Sequence, residues 1–191
     1  MAINLSKGQR VSLDKSMQMA LVGLGWDINR YDGGYDFDLD ASAFLLGENG
    51  KLLRDEDFVF YNNLEGRDGA VIHKGDNRTG AGEGDDEVIV VDFTKLPAEI
   101  QKVAICVTIH EADIRHQNFG QVSNAYVRVA KISNVDDMVG DDQLRFDLME
   151  EFSIETGLVV CEIYRYNGEW KFNAVGAGYQ GGLEAILRMY Q

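Results

Sequence analysis

The chain has 191 residues, 45% of them hydrophobic, a single Pro and a formal net charge of −14. That length and composition predict one compact domain over residues 1–191, with a core large enough to fold without disulfide or metal staples. The charge excludes nonspecific nucleic-acid binding, which needs Lys and Arg against phosphate. It also excludes direct docking on an anionic membrane unless bound cations bridge the two.

Met1 to Leu13 lack the charged-then-apolar pattern of a signal peptide, and no apolar run is long enough to span a bilayer. The expected location is therefore cytoplasmic. Period-two alternation and β-branched residues predict strands at Leu21–Trp26, Asp38–Leu46, Phe58–Asn62, Val88–Phe93, Val103–Ile109, Tyr126–Ile132 and Leu158–Tyr166. Asn49-Gly50 and Asn167-Gly168 both read as hairpin turns, because a tight primed turn needs positive φ at both central positions. The second should fold Val159–Arg165 back onto Trp170–Ala174. Leu96–Ile100 predicts a short helical turn with Pro97 at an early position. Glu111–Asn118 reads as a short exposed helix, and Leu183–Tyr190 as an amphipathic one following Gly181-Gly182. Together these give a mainly β fold, an antiparallel two-sheet β-sandwich with a few short helices.

The acid is unevenly placed. Sixteen of the 32 Asp and Glu residues fall between Asp27 and Glu87, against six bases, so that window carries −10. Within it stand two dense segments, Asp36-Phe37-Asp38-Leu39-Asp40 and the stretch from Asp76 to Glu87, which contains Gly80, Gly82 and Gly84. On a strand, Asp36, Asp38 and Asp40 share one face and lie ~6–7 Å apart. The glycine-rich segment is pliable enough to close over them and offer carboxylates and backbone carbonyls to a hard cation. Calcium, with six to eight oxygens at ~2.4 Å, suits two such segments better than magnesium, which keeps more water. Neither segment is an EF-hand: Ala41 and Gly47 stand where that loop needs Gly and Glu, and Arg78 and Ala81 break the second. The competing reading is a solvated edge with Asp at strand ends and Gly in turns.

Elsewhere the chemistry is sparse. Cys106 and Cys161 sit in apolar, strand-like runs and read as buried free thiols, made inert by their surroundings. Cys106 and His110 share a strand face, but four residues of strand separate them by ~13 Å, too far for a nucleophile–base pair. His73, His110 and His116 have no zinc spacing. Trp26, Trp170, Tyr164, Tyr166 and Phe172 form either a stacking platform or, more commonly for strand aromatics, core and cross-strand partners.

Gly25-Trp26-Asp27, Phe37-Asp38-Leu39-Asp40-Ala41-Ser42-Ala43-Phe44, Gly75-Asp76-Asn77-Arg78-Thr79-Gly80 and Gly84-Asp85-Asp86-Glu87 resemble the signature segments of the TerD family of tellurite-resistance and stress proteins. Gln117-Asn118-Phe119, Asn124-Ala125-Tyr126-Val127-Arg128-Val129 and Tyr164-Arg165-Tyr166 with Trp170-Lys171-Phe172 are similar to that family too, so the resemblance spans the chain. It implies a non-enzymatic β-sandwich that binds Ca2+, more than one ion, through its acidic loops. It also implies work with other tellurium-resistance proteins and a membrane protein of the TerC type. Carried over by motif, the metal ligands are Asp27, Asp36, Asp38, Asp40, Asp76, Asp85, Asp86 and Glu87, with Asn62, Asn63 and Asn77 as amide donors. The alternatives are a nucleotide-type small-ligand module and a metal-dependent hydrolase.

Overall fold

A computed structural model describes residues 2–27, 37–75, 84–148 and 152–191. The strands are β1 (Ile3–Leu5), β2 (Arg10–Ser12), β3 (Met19–Asp27), β4 (Leu39–Leu46), β5 (Phe58–Val59), β6 (Glu65–Gly66), β7 (Val71–His73), β8 (Glu87–Asp92), β9 (Lys102–Ile109), β10 (Ser123–Ile132), β11 (Asp141–Asp147), β12 (Gly157–Tyr166) and β13 (Glu169–Tyr179). Two helices, α1 (Ala112–Arg115) and α2 (Gly182–Tyr190), complete the framework with 3-10 turns at Asp55–Asp57 and Phe119–Gln121. One sheet runs β1-β11-β10-β3-β8-β7-β6 and the other β2-β13-β12-β9-β4-β5. Every pairing is antiparallel except that of β1 with β11. The predicted two-sheet β fold is the one observed.

Alternation places the core. Val22 and Leu24, Ile89 and Val91, Val127 and Val129 of the first sheet face Ala41 and Ala43, Ile105 and Val107, Leu158 and Ile163 of the second. A bulge between Val159 and Cys161 shifts the period by one, so Val160 and Cys161 both reach this core while Val159 turns outward. Phe44, Leu46, Ala104, Cys106 and Val159 line the outer face of the second sheet, where Ile186 and Tyr190 of α2 cover them.

Five local expectations fare differently. Asn167-Gly168 is a two-residue hairpin turn, with φ 51° and 77° at its central positions. At Asn49-Gly50 only Gly50 has positive φ, and the chain returns for a single bridge, Leu46 with Leu52, before β5 becomes the partner of β4. Phe58–Asn62 is cut to two strand residues because Phe60 and Asn63 bond each other in both directions at 2.9 Å. Leu96–Ile100 forms the single turn expected: Ile100 N–H to Pro97 O closes it, and Arg165 donates to the carbonyls of Leu96, Pro97 and Ile100. Glu111–Asn118 shrinks to α1, stopped on both sides by Glu111 and His116 in the left-handed region.

Candidate functional site

Both acidic segments meet one end of the sandwich. There β3 ends at Asp27, β7 ends at His73, β8 begins at Glu87 and β4 begins beyond Phe37. The pairs Leu24–Glu87, His73–Ile89 and Leu39–Ile109 fix that arrangement. Among the sites expected from sequence, Asp36, Asp76 and Asn77 lie outside the described residues.

Asp85 sits on the outer face of the first sheet, clamped by β10. Arg128 Nε donates to both its oxygens at 2.9 Å, Arg128 Nη2 donates at 2.6 Å, and Tyr126 Oη donates at 3.1 Å. The sequence beneath explains how the carboxylate gets so close. A Cβ on Gly23 would stand 2.0 Å from Asp85 Oδ2, and one on Gly25 would stand 2.5 Å from the Tyr126 ring. Arg145 stacks on that ring at 3.9 Å. Burial, reinforced by the Asp85 charge, pushes the Tyr126 phenol up to about 12. One face of β10 thus grips the acidic end: Asn124 Nδ2 donates to Asp27 Oδ2 at 2.5 Å, Tyr126 and Arg128 hold Asp85.

Glu87 continues the inward-facing row of Ile89 and Val91 and enters the seam between the sheets. Its Oε2 accepts from Ala41 N at 3.2 Å and stands 3.0 Å from His73 Nε2. His73 Nδ1 accepts from Gly75 N at 3.2 Å, which leaves the ring proton on Nε2, shared between Glu87 and Ala41 O at 3.1 Å. Both side chains are 1% exposed. This pair ties β7 and β8 to β4 at the root of the glycine-rich segment.

Asp86 differs. Its Oδ2 accepts from Trp26 N at 2.9 Å, beside Asp27. Burial raises its carboxyl above the ordinary value, the Trp26 bond works against this, and the charges of Asp85, Glu87 and Asp27 raise it further. The charges of Asp85, Glu87 and Asp27 are thus all felt at Asp86. Asp38 and Asp40 occupy the outer face of the second sheet, the face opposite to Leu39 and Ala41. Both are buried rather than solvated, with Arg115 Nη1 3.6 Å from Asp38 Oδ2 and His110 Nδ1 3.4 Å from Asp40 Oδ2. Asn62 is exposed, whereas the Asn63 amide donates to Glu56 O and Phe58 O and holds its turn.

Among the described residues no three His, Cys, Asp or Glu side chains stand close enough to enclose a metal ion. The side chains whose charges act on Asp86 offer only oxygen, as a hard cation requires. Asp85 and Glu87 are already committed to Arg128 and His73, while the Asn124 amide donates to Asp27 and Trp26 N–H donates to Asp86. Sequence reasoning missed the clamp, because Asn124, Tyr126 and Arg128 read as an ordinary alternating strand. It also missed His73 and His110, which stand against the acidic segments in space though not inside them in sequence. Trp26 and Phe172 belong to the core, and Trp170 lies at the opposite end, so the aromatics form no common platform.

A family model described as TerD domain matches residues 1–190. General stress protein 16U of Bacillus subtilis (strain 168) is 54% identical, the alignment covering 100% of this chain and 97% of that protein. Tellurium resistance protein TerD of Serratia marcescens is 52% identical over the same shares, 100% and 97%. The crystal structure of a homologue of telluride resistance protein (TerD) from Streptomyces coelicolor A3(2) superposes with a TM-score of 0.70 at 23% identity, over 92% of this chain and 99% of that one, and carries the same fold. The chain belongs to the TerD family, whose relatives are named for tellurium resistance and stress response.

Proposed function

We propose that this protein is a non-enzymatic calcium-binding module of the tellurium-resistance and chemical-stress response. Asp27 and Asp86 hold the ion together with oxygens of the two acidic segments, where the sequence places Asp36, Asp76 and Asn77. The observation that carries this reading is the crowding at Asp86, whose charged form is opposed by burial and by three neighbouring carboxylates. A bound divalent cation reverses that opposition, since opposite charge within a few ångströms favours the ionised form. Asp38 is the ligand this reading draws from the second sheet. Asp85, Glu87 and Asp40 act instead as struts that set the loops' roots.

Calcium would supply positive charge and loop order here, with no chemical step. The setting of His73 supports the non-enzymatic reading: both its ring nitrogens are engaged in a seam 1% exposed to solvent. Binding cancels much of the −10 carried by residues 27–87 and so changes the surface that a partner meets. The partner implied by the family is another tellurium-resistance protein or a TerC-type membrane protein, which would hold this chain at the inner face of the membrane in the cytoplasm. No helix among the described residues is long and apolar enough to cross a membrane itself. Calorimetry of calcium into chelator-stripped protein, with magnesium in parallel, tests the reading. Saturable heat at micromolar calcium with a far weaker magnesium response is expected; no heat would overturn it.

A further inference from the structure

We propose that Asn167 is a site of spontaneous covalent modification, closing with Gly168 to a cyclic imide and opening to aspartate and isoaspartate. The chain holds two Asn-Gly pairs, Asn49-Gly50 and Asn167-Gly168, and calcium binding uses neither. Both asparagines are exposed. A Cβ on Gly50 or on Gly168 would meet nothing within 4 Å, so both pairs stand in open space. Sequence and access do not separate them. Hydrogen bonding does.

The chemistry needs two free groups. The glycine main-chain nitrogen gives its proton to hydroxide and bonds to the asparagine Cγ; the bond from Cγ to the side-chain nitrogen breaks, and ammonia leaves. Water then adds to one of the two imide carbonyls, opening the ring to aspartate at one and to isoaspartate at the other. One water is consumed and one ammonia released, with no change of oxidation state.

At Asn49 both groups are occupied. Gly50 N donates to Gly47 O at 3.0 Å, and Asn49 Oδ1 accepts from Lys51 N at 3.0 Å. A third bond, Gly47 N to Lys51 O at 2.9 Å, closes that loop. At Asn167, among the described residues, neither the Gly168 N–H nor the side-chain amide has a partner. The two-residue hairpin explains this, because its closing pair is Tyr166 with Glu169 and its second loop N–H points away from the ladder. Asn167 also has a φ of 51°, in the left-handed region where a side chain crowds its own backbone, so leaving that conformation relieves strain.

The modified turn carries a carboxylate where a neutral amide stood, taking the chain from −14 to −15. Its isoaspartyl form has an extra main-chain methylene, and an exposed isoaspartyl carboxylate is the substrate class of carboxyl methyltransferases. The intact protein is therefore aged at mildly alkaline pH, in native buffer and in denaturant. Peptide mapping follows the amide-to-acid conversion at each pair, and an isoaspartyl methyltransferase with a labelled methyl donor reports the isoaspartyl share. In native buffer Asn49 should convert roughly ten- to thirtyfold more slowly than Asn167, since two hydrogen bonds must break there first. In denaturant the two rates should converge, and Asn167→Gln should remove the acidic isoform that the native protein accumulates. Equal native rates, Asn49 ahead of Asn167, an acidic isoform that persists in Asn167→Gln, or conversion of Asn167 only in denaturant would each overturn the proposal.

Discussion

Asp85→Asn separates a strut from a ligand. In the structure Asp85 takes three contacts from Arg128 and one from Tyr126, and its side chain is 4% exposed. The amide keeps one acceptor oxygen but turns an NH2 toward a guanidinium that can only donate. Charge-assisted bonds to a buried carboxylate contribute about 1.5–3 kcal/mol each on net, and stranding a buried partner costs more. Arg128 retains Asp142, whose carboxylate is half exposed, and this limits the damage. The expected loss is therefore about 2–4 kcal/mol, which in a chain of this size lowers Tm by roughly 5–15 °C. Melts are run in chelator and again in excess calcium. The drop should appear fully in chelator, and calcium should raise the melting temperature of variant and parent by the same increment. A variant that melts with the parent in chelator yet loses the calcium increment would refute the strut assignment and make Asp85 a ligand.

Gly23→Ala should mimic Asp85→Asn, because the new methyl would displace the same carboxylate. The double variant should lose less than the sum of the singles, as for any pair acting on one contact. Asp86→Asn should do the reverse of Asp85→Asn. Burial and like charges raise the Asp86 carboxyl in the folded state above its ordinary value, so the native protein holds the proton more readily and loses stability as pH rises through that window. At pH 7 in chelator the variant should be more stable than the parent, at about pH 3 it should match the parent, and its calcium affinity should fall; melts at the two pH values and calorimetry check this. Burial pushes both Cys106 and Cys161 thiols well up. Neither should react with a thiol reagent in the native protein over hours, and both should react on denaturation.

How much of this was readable from sequence depends on how local the cause was. Strands β3, β4, β9 and β10 declare themselves because their inward residues alternate over eight to ten positions. Strands β6 and β7 have two and three residues, too few for any period to show, and exist because β8 offers them an edge. The bulge in β12 is likewise invisible, since Val160 and Cys161 both look apolar whichever way they face. The turn at Asn167-Gly168 needed only its own two residues; the turn at Leu96–Ile100 is also held by Arg165, about 65 positions away. The acidic site divides in the same way. That carboxylates gather at one end is visible as composition. That Asp85 answers to Arg128 and Glu87 to His73 is tertiary, and no spacing in the chain foretells it.

The most direct measurement is a crystal structure of the protein grown with calcium, with the ion's anomalous signal recorded. A peak within about 2.3–2.6 Å of oxygens from Asp86 and from both acidic segments is predicted, with the Asp85–Arg128 and Glu87–His73 contacts intact. Acidic loops without a peak at saturating calcium, or an ion held by Asp85 with Arg128 displaced, would contradict it.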